Sequence, residues 1–125
     1  GNPDGHIILR GGQQPNYSQP HIQASREQLQ AAGLSPRLVV DFSHANCQKQ
    51  HRRHLQVGED VATQSRNGEH AIAGVMVESF IEEGRQDVVP GQPLRYGQSI
   101  TDPCLSWQDS ETLLALLAEA VESVR

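Results

Sequence analysis

Leu38-Val39-Val40-Asp41-Phe42-Ser43 is a near-continuous apolar run that ends on the polar triplet His44-Ala45-Asn46. Two further runs share its character: His6-Ile7-Ile8-Leu9-Arg10, and Ala71-Ile72-Ala73-Gly74-Val75-Met76-Val77-Glu78-Ser79. None alternates cleanly between apolar and polar residues, which is the pattern of parallel strands covered on both faces. Helical spacing fills the intervals. Residues 20–32 put Ile22, Leu29 and Ala32 on one side and stop at Gly33, with Pro36 beyond it. Residues 46–66 carry Leu55, Val57, Val61 and Ala62 and end at Asn67-Gly68. Residues 107–124 carry the stripe Leu113, Leu114, Leu117, Val121 and Val124 behind Ser106 and Asp109, a pair at capping-box spacing. The order β-α-β-α-β-loop-α predicts an α/β fold with a parallel sheet and right-handed crossovers, in one domain or part of one over residues 1–125. Residues 80–104 hold Gly84, Pro90, Gly91, Pro93, Gly97 and Pro103, too turn-rich for an ordinary βα connection. Within them Val88-Val89 and Leu94-Arg95-Tyr96 are expected to pair as a small hairpin across Pro90-Gly91.

Composition narrows the function classes. Among 125 residues there are 10 Lys+Arg and 15 Asp+Glu, a formal net charge of -5, so no basic face is available for nucleic acid. No apolar run approaches the roughly 20 residues that span a bilayer. The start, Gly1-Asn2-Pro3-Asp4, lacks a basic-then-apolar leader, and a soluble, cytoplasmic protein is expected. Hydrophobic residues make up 36%, aromatic residues 4%, and mean hydropathy is -0.54, which is lean for a chain that must bury its own core. Cys47 and Cys104 are too few and too far apart for a disulfide framework or a Cys-x-x-Cys knuckle, and both are read as reduced.

In parallel βα architectures ligands bind beyond the carboxyl ends of the strands. Those ends carry Arg10-Gly11-Gly12, Ser43-His44-Ala45-Asn46 and Glu78-Ser79, and the long loop adds Ser99-Ile100-Thr101-Asp102. His44, Glu78 and Asp102 offer one nitrogen and two oxygen donors, a set suited to Mn²⁺, Fe²⁺, Co²⁺ or Zn²⁺. Each also has a plainer reading: a hydrogen-bonded histidine at a strand end, a solvated glutamate, and a turn aspartate before Pro103. Arg10 ahead of two glycines suggests an anion site, the plainer reading being a tight turn with a surface arginine. His51-Arg52-Arg53-His54 is read as the solvated face of a helix, and Cys47 as a small packing residue rather than a nucleophile.

Gly1-Asn2-Pro3-Asp4, His6 to Gly12, Asp41-Phe42-Ser43-His44-Ala45-Asn46, Gly74 to Ser79 and Tyr96 to Asp102 together resemble the type I, aromatic-amino-acid-sensitive 3-deoxy-D-arabino-heptulosonate 7-phosphate (DAHP) synthases. The resemblance runs colinearly over essentially the whole chain. It implies condensation of phosphoenolpyruvate with erythrose 4-phosphate, releasing phosphate, as the first step of the shikimate pathway. It also implies the C-terminal part of a (β/α)8 TIM barrel, the last three βα units with a long hairpin-like loop before the last helix. A complete barrel takes roughly 250 residues.

Carried over by position, His44, Glu78 and Asp102 match the family's ligands for a divalent metal (Mn, Fe, Co or Zn), and Arg10 matches an arginine that holds the phosphate of phosphoenolpyruvate. The family's cysteine ligand matches neither Cys47 nor Cys104. Asp41 is read as a group that orients a ligand or a bound water, or else as an ion-pair partner for a basic residue outside this segment. Three functional readings follow. The chain is part of a DAHP synthase and inactive alone; or a non-catalytic fragment that binds metal weakly and self-associates; or an unrelated metal-dependent phosphate-ester hydrolase. A homo-oligomer, or association through open barrel edges, is the expected assembly, with no nucleic acid and no membrane partner.

Overall fold

A computed structural model describes residues 1–125. β2 (Leu38–Asp41) lies between β1 (Ile7–Leu9) and β3 (Ile72–Met76), and both neighbours pair with it in parallel. α1 (Gln19–Ala31), α2 (Arg53–Arg66) and α3 (Trp107–Glu122) complete the chain. Leu38, Val40 and the adjacent Phe42 are fully buried at successive alternate positions, so they share one face of the sheet. That face meets Ile22 and Leu29 of α1, Val57 and Val61 of α2, and Leu113 of α3 in a single apolar cluster. α2 and α3 approach closely because Gly58 has no Cβ: one placed there would overlap Leu113 Cδ1. No helix is long and apolar enough to cross a membrane.

Helix ends follow local chemistry. Gly33 at φ 70° and Gly68 at φ 91° adopt the left-handed conformation that stops α1 and α2. After α1 the N–H groups of Gly33 and Leu34 return to the carbonyls of Gln30 and Leu29; after α2 those of Gly68 and Glu69 return to Ser65 and Gln64. This is the paired Schellman closure that left-handed glycine permits. α3 begins where Ser106 Oγ accepts the N–H of Asp109 at 3.1 Å, the cap expected from their spacing.

Several expectations are corrected. The residues form an open α/β fragment of three parallel strands and three helices, not the closing part of an eight-stranded barrel. Coverage of both sheet faces holds only for the central strand: Ile8 and Met76, on the flanking strands, are 47% and 40% exposed. The hairpin does not form. The side chain of Gln86 takes the place of a cross-strand partner, donating to the carbonyls of Arg95 and Gln98 while its Oε1 accepts the Arg95 N–H. The loop is tied instead by single bridges of Ser79 to Leu105, Gly84 to Cys104 and Arg85 to Ser99.

The helix expected over residues 46–66 begins only at Arg53. Residues 44–49 are turns, with His44, Gln48 and Lys49 at φ 54°, 53° and 57°, and left-handed residues interrupt a right-handed helix. Nor is the His51–His54 run a solvated face. Arg52 is exposed, but His54 is fully buried because its ring turns inward to two hydrogen-bond partners.

Candidate metal centre

The register aligns Leu9 with Val40 and Val40 with Val75, so Arg10, His44 and Glu78 leave the sheet at the same edge. The bridge between Ser79 and Leu105 ties the far end of the long loop beside Glu78, and Asp102 reaches the same edge from that loop. The structure therefore brings His44, Glu78 and Asp102 together, with one ligand atom from each lying within 4.8 Å of the others. His44 Nε2 is 3.6 Å from Glu78 Oε1 and 3.8 Å from Asp102 Oδ2. Both separations exceed the range of a good hydrogen bond. They suit donors arranged around one ion at bond lengths of about 2.0–2.2 Å.

The histidine is held by its other nitrogen. Nδ1 is 2.7 Å from Asp41 Oδ2, and Asp41 is fully buried with its Oδ1 accepting the Ser43 N–H at 2.8 Å. A carboxylate only accepts, so Nδ1 carries the hydrogen, and Nε2 is the ring nitrogen left to bind a metal in the neutral imidazole. Backbone conformation contributes to the aim. At φ 54° His44 occupies a region that costs a non-glycine residue about 1–3 kcal/mol and persists only where the surroundings impose it.

Burial pushes the Glu78 carboxyl above its ordinary value; the charges of Asp102 and Asp41 push the same way, while His44 and Arg10 oppose. A carboxylate crowded by like charge gains from a cation. Arg10, Gly11, His44, Lys49, Glu78 and Asp102 line a cavity of about 390 Å³. Two larger clefts are lined by no hydrophobic residue, and three of the arginines along them are paired, Arg26 with Glu69, Arg85 with Asp87 and Arg95 with Glu82.

Cys47 is buried against this edge. Its Sγ lies 3.4 Å from the His44 carbonyl, and desolvation raises its thiol pKa, which suits a packing residue rather than a nucleophile. Lys49 on the cavity wall escapes the sequence reading, and Ser43, Asn46 and His54, though they lie in stretches the sequence singles out, are given no part in the site there. Asn46 had a signal in its place directly after the strand end. His54 had none, because a histidine in a basic run looks solvated until the tertiary fold buries it.

The model of the DAHP synthetase I family matches residues 1–115. The chain belongs to the DAHP synthetase I family. The Trp-sensitive phospho-2-dehydro-3-deoxyheptonate aldolase of Enterobacter agglomerans is 62% identical over 121 residues, 97% of this chain and 35% of that protein. The protein of the same name from Escherichia coli K12 is 59% identical over 123 residues, with 98% and 35% covered. A solved structure of phospho-2-dehydro-3-deoxyheptonate aldolase from Francisella tularensis SCHU S4 superposes with a TM-score of 0.94 at 40% identity, over 100% of this chain and 36% of that one. The chain thus spans about a third of the length of the family members it matches. The expectation that it forms the C-terminal portion of a barrel is withdrawn: what aligns with 35% of the relatives is an α/β fragment.

Proposed function

We propose that this chain forms part of an enzyme that condenses phosphoenolpyruvate with erythrose 4-phosphate to give DAHP and phosphate, and that His44, Glu78 and Asp102 contribute the metal-binding part of its active site. The observation that carries the reading is the convergence of three donor atoms within 4.8 Å at one sheet edge, in a chain of the DAHP synthetase I family. The donor set fits Mn²⁺, Fe²⁺, Co²⁺ or Zn²⁺. Such an ion supplies Lewis acidity toward a carbonyl oxygen or a bound water.

The chain's own residues do the remaining work. His44 Nε2 and the two carboxylates hold the ion, and Asp41 fixes the tautomer that makes Nε2 available. Arg10, on the wall of the same cavity, binds the phosphate of phosphoenolpyruvate through its guanidinium fork. Lys49 adds a second cation for the anionic substrates. Gly11 keeps the Arg10 loop against Ala45 and Asn46, where a Cβ would lie 2.7 Å from Ala45 Cβ. One arginine and one lysine are few charges for two phosphorylated substrates, so the 125 residues alone are expected to show no synthase turnover.

The site is tested by titrating the protein with Mn²⁺ and following free Mn²⁺ by electron paramagnetic resonance. One saturable site, abolished in H44A and weakened in D102N, is expected. Absence of binding, or binding indifferent to H44A, overturns the site. The reaction is checked by phosphate release from phosphoenolpyruvate in the presence and absence of erythrose 4-phosphate. Release without the second substrate favours a phosphate-ester hydrolase instead, and robust synthase turnover by the 125-residue chain overturns the expected dependence on further groups.

A further inference from the structure

His54 is fully buried and both of its ring nitrogens are engaged, yet it does not line the cavity and hydrogen-bonds to none of the three proposed ligands. Nδ1 lies 2.6 Å from the His51 carbonyl oxygen and Nε2 lies 3.0 Å from Ser43 Oγ. A carbonyl oxygen only accepts, so Nδ1 carries the hydrogen. Desolvation disfavours the imidazolium, which leaves Nε2 bare to accept the Ser43 hydroxyl hydrogen. Ser43 Oγ in turn accepts the backbone N–H of Glu78 at 2.9 Å. The bonds run in one direction: Glu78 N–H to Ser43, Ser43 O–H to His54, and His54 Nδ1–H to the carbonyl of His51.

Ser43 immediately precedes His44, so this relay joins the backbone beside one proposed ligand to the backbone of another and anchors both just ahead of and within α2. A hydroxyl rotates freely when nothing fixes its hydrogen; here the imidazole fixes it. Placing a serine and a histidine in a buried site costs desolvation that an apolar pair would not incur. We infer that Ser43 and His54 are positioning residues of the metal centre, the imidazole orienting the Ser43 hydroxyl so that its oxygen holds Glu78 at a set distance from His44.

The inference rests on the metal reading above, and one experiment separates the two. Mn²⁺ affinity and the visible absorption spectrum of the Co²⁺-loaded protein are measured for the wild type and for S43A, H54F and H54Q, with folding checked by circular dichroism. S43A and H54F are expected to lose about 10- to 100-fold in Mn²⁺ affinity, the usual cost of removing a group that orients a ligand, and to shift the Co²⁺ bands. H54Q, whose amide can still accept from Ser43, is expected to retain near wild-type affinity and spectrum. A folded S43A with wild-type affinity and spectrum overturns the inference. So does H54Q falling as far as H54F, which would assign the loss to packing. Should H54F fail to fold, the smaller changes S43A and H54Q decide the matter. A wild-type protein that binds no Mn²⁺ overturns the metal reading itself.

Discussion

His44 Nδ1 sits 2.7 Å from Oδ2 of the fully buried Asp41, three residues earlier in the chain. Both Asp41 oxygens face donors, since Oδ1 accepts the Ser43 N–H at 2.8 Å. Asparagine has only one acceptor oxygen, so D41N must turn an amide N–H toward either Ser43 N or His44 Nδ1. In the first case the Ser43 N–H loses its acceptor and the turn that carries His44 loses a tie; in the second the imidazole moves its hydrogen to Nε2. Mn²⁺ affinity in D41N is expected to fall about 10- to 100-fold, measured by resonance titration. An affinity unchanged from wild type would show that Asp41 does not set the tautomer.

Asn46 staples two strand ends. Its Nδ2 donates to the Leu9 carbonyl at 3.0 Å and to the Asp41 carbonyl at 2.8 Å, and its Oδ1 accepts the Asn16 N–H at 2.7 Å. Asn16 Oδ1 accepts the Gly11 N–H in turn, which connects the Arg10 loop to the His44 turn. N46A removes these three hydrogen bonds, and an expected cost of about 2–4 kcal/mol follows from buried polar groups that lose a partner. Urea unfolding measures it. A loss well under 1 kcal/mol would mean that water replaces the amide.

Gly11 and Gly33 separate conformational strain from steric overlap. Both have positive φ, 78° and 70°, but a Cβ at Gly11 would lie 2.7 Å from Ala45 Cβ and 2.9 Å from Asn46 N, whereas nothing lies within 4 Å at Gly33. G33A is expected to cost about 1–2 kcal/mol for the left-handed alanine. G11A carries the same cost plus the clash and is expected to be the more destabilised of the two by denaturant unfolding. Equal losses would show that the Arg10 loop moves aside freely.

His54 makes stability pH-dependent. Burial, the largest influence, holds its pKa below the ordinary value, so the unfolded chain takes up this proton at a higher pH than the folded chain does. Stability from this group is therefore fully present above about pH 6.5 and is lost as pH falls from there toward the lower folded value. Between about pH 7.5 and about pH 5.5 the urea midpoint of the wild type is expected to drop further than that of H54Q, which has no imidazole to titrate. Parallel midpoints in the two proteins would remove His54 as the cause.

Much of the fold was legible because its signals are local. The three apolar runs became β1, β2 and β3, with no end trimmed by more than three residues, and Gly33 and Gly68 stopped the helices that their positions predict. The failures are equally specific. Helical periodicity in residues 46–52 was overridden by the turn that carries left-handed Gln48 and Lys49. The hairpin lost to the side chain of Gln86, whose amide satisfies the backbone of Arg95 and Gln98.

At the site, residue types and their topological address were already present in the order of the chain: Arg10, His44 and Glu78 each follow a strand-forming run, and parallel strands deliver their carboxyl ends to one edge. Propensity and strand direction are encoded within a few residues, which is why reading along the chain reaches that far. Distance is not so encoded. The approach of Asp102 to His44, the capture of Nδ1 by Asp41 and the burial of His54 behind Ser43 depend on packing between segments far apart in sequence, and only the assembled sheet, loop and helices bring those atoms within reach.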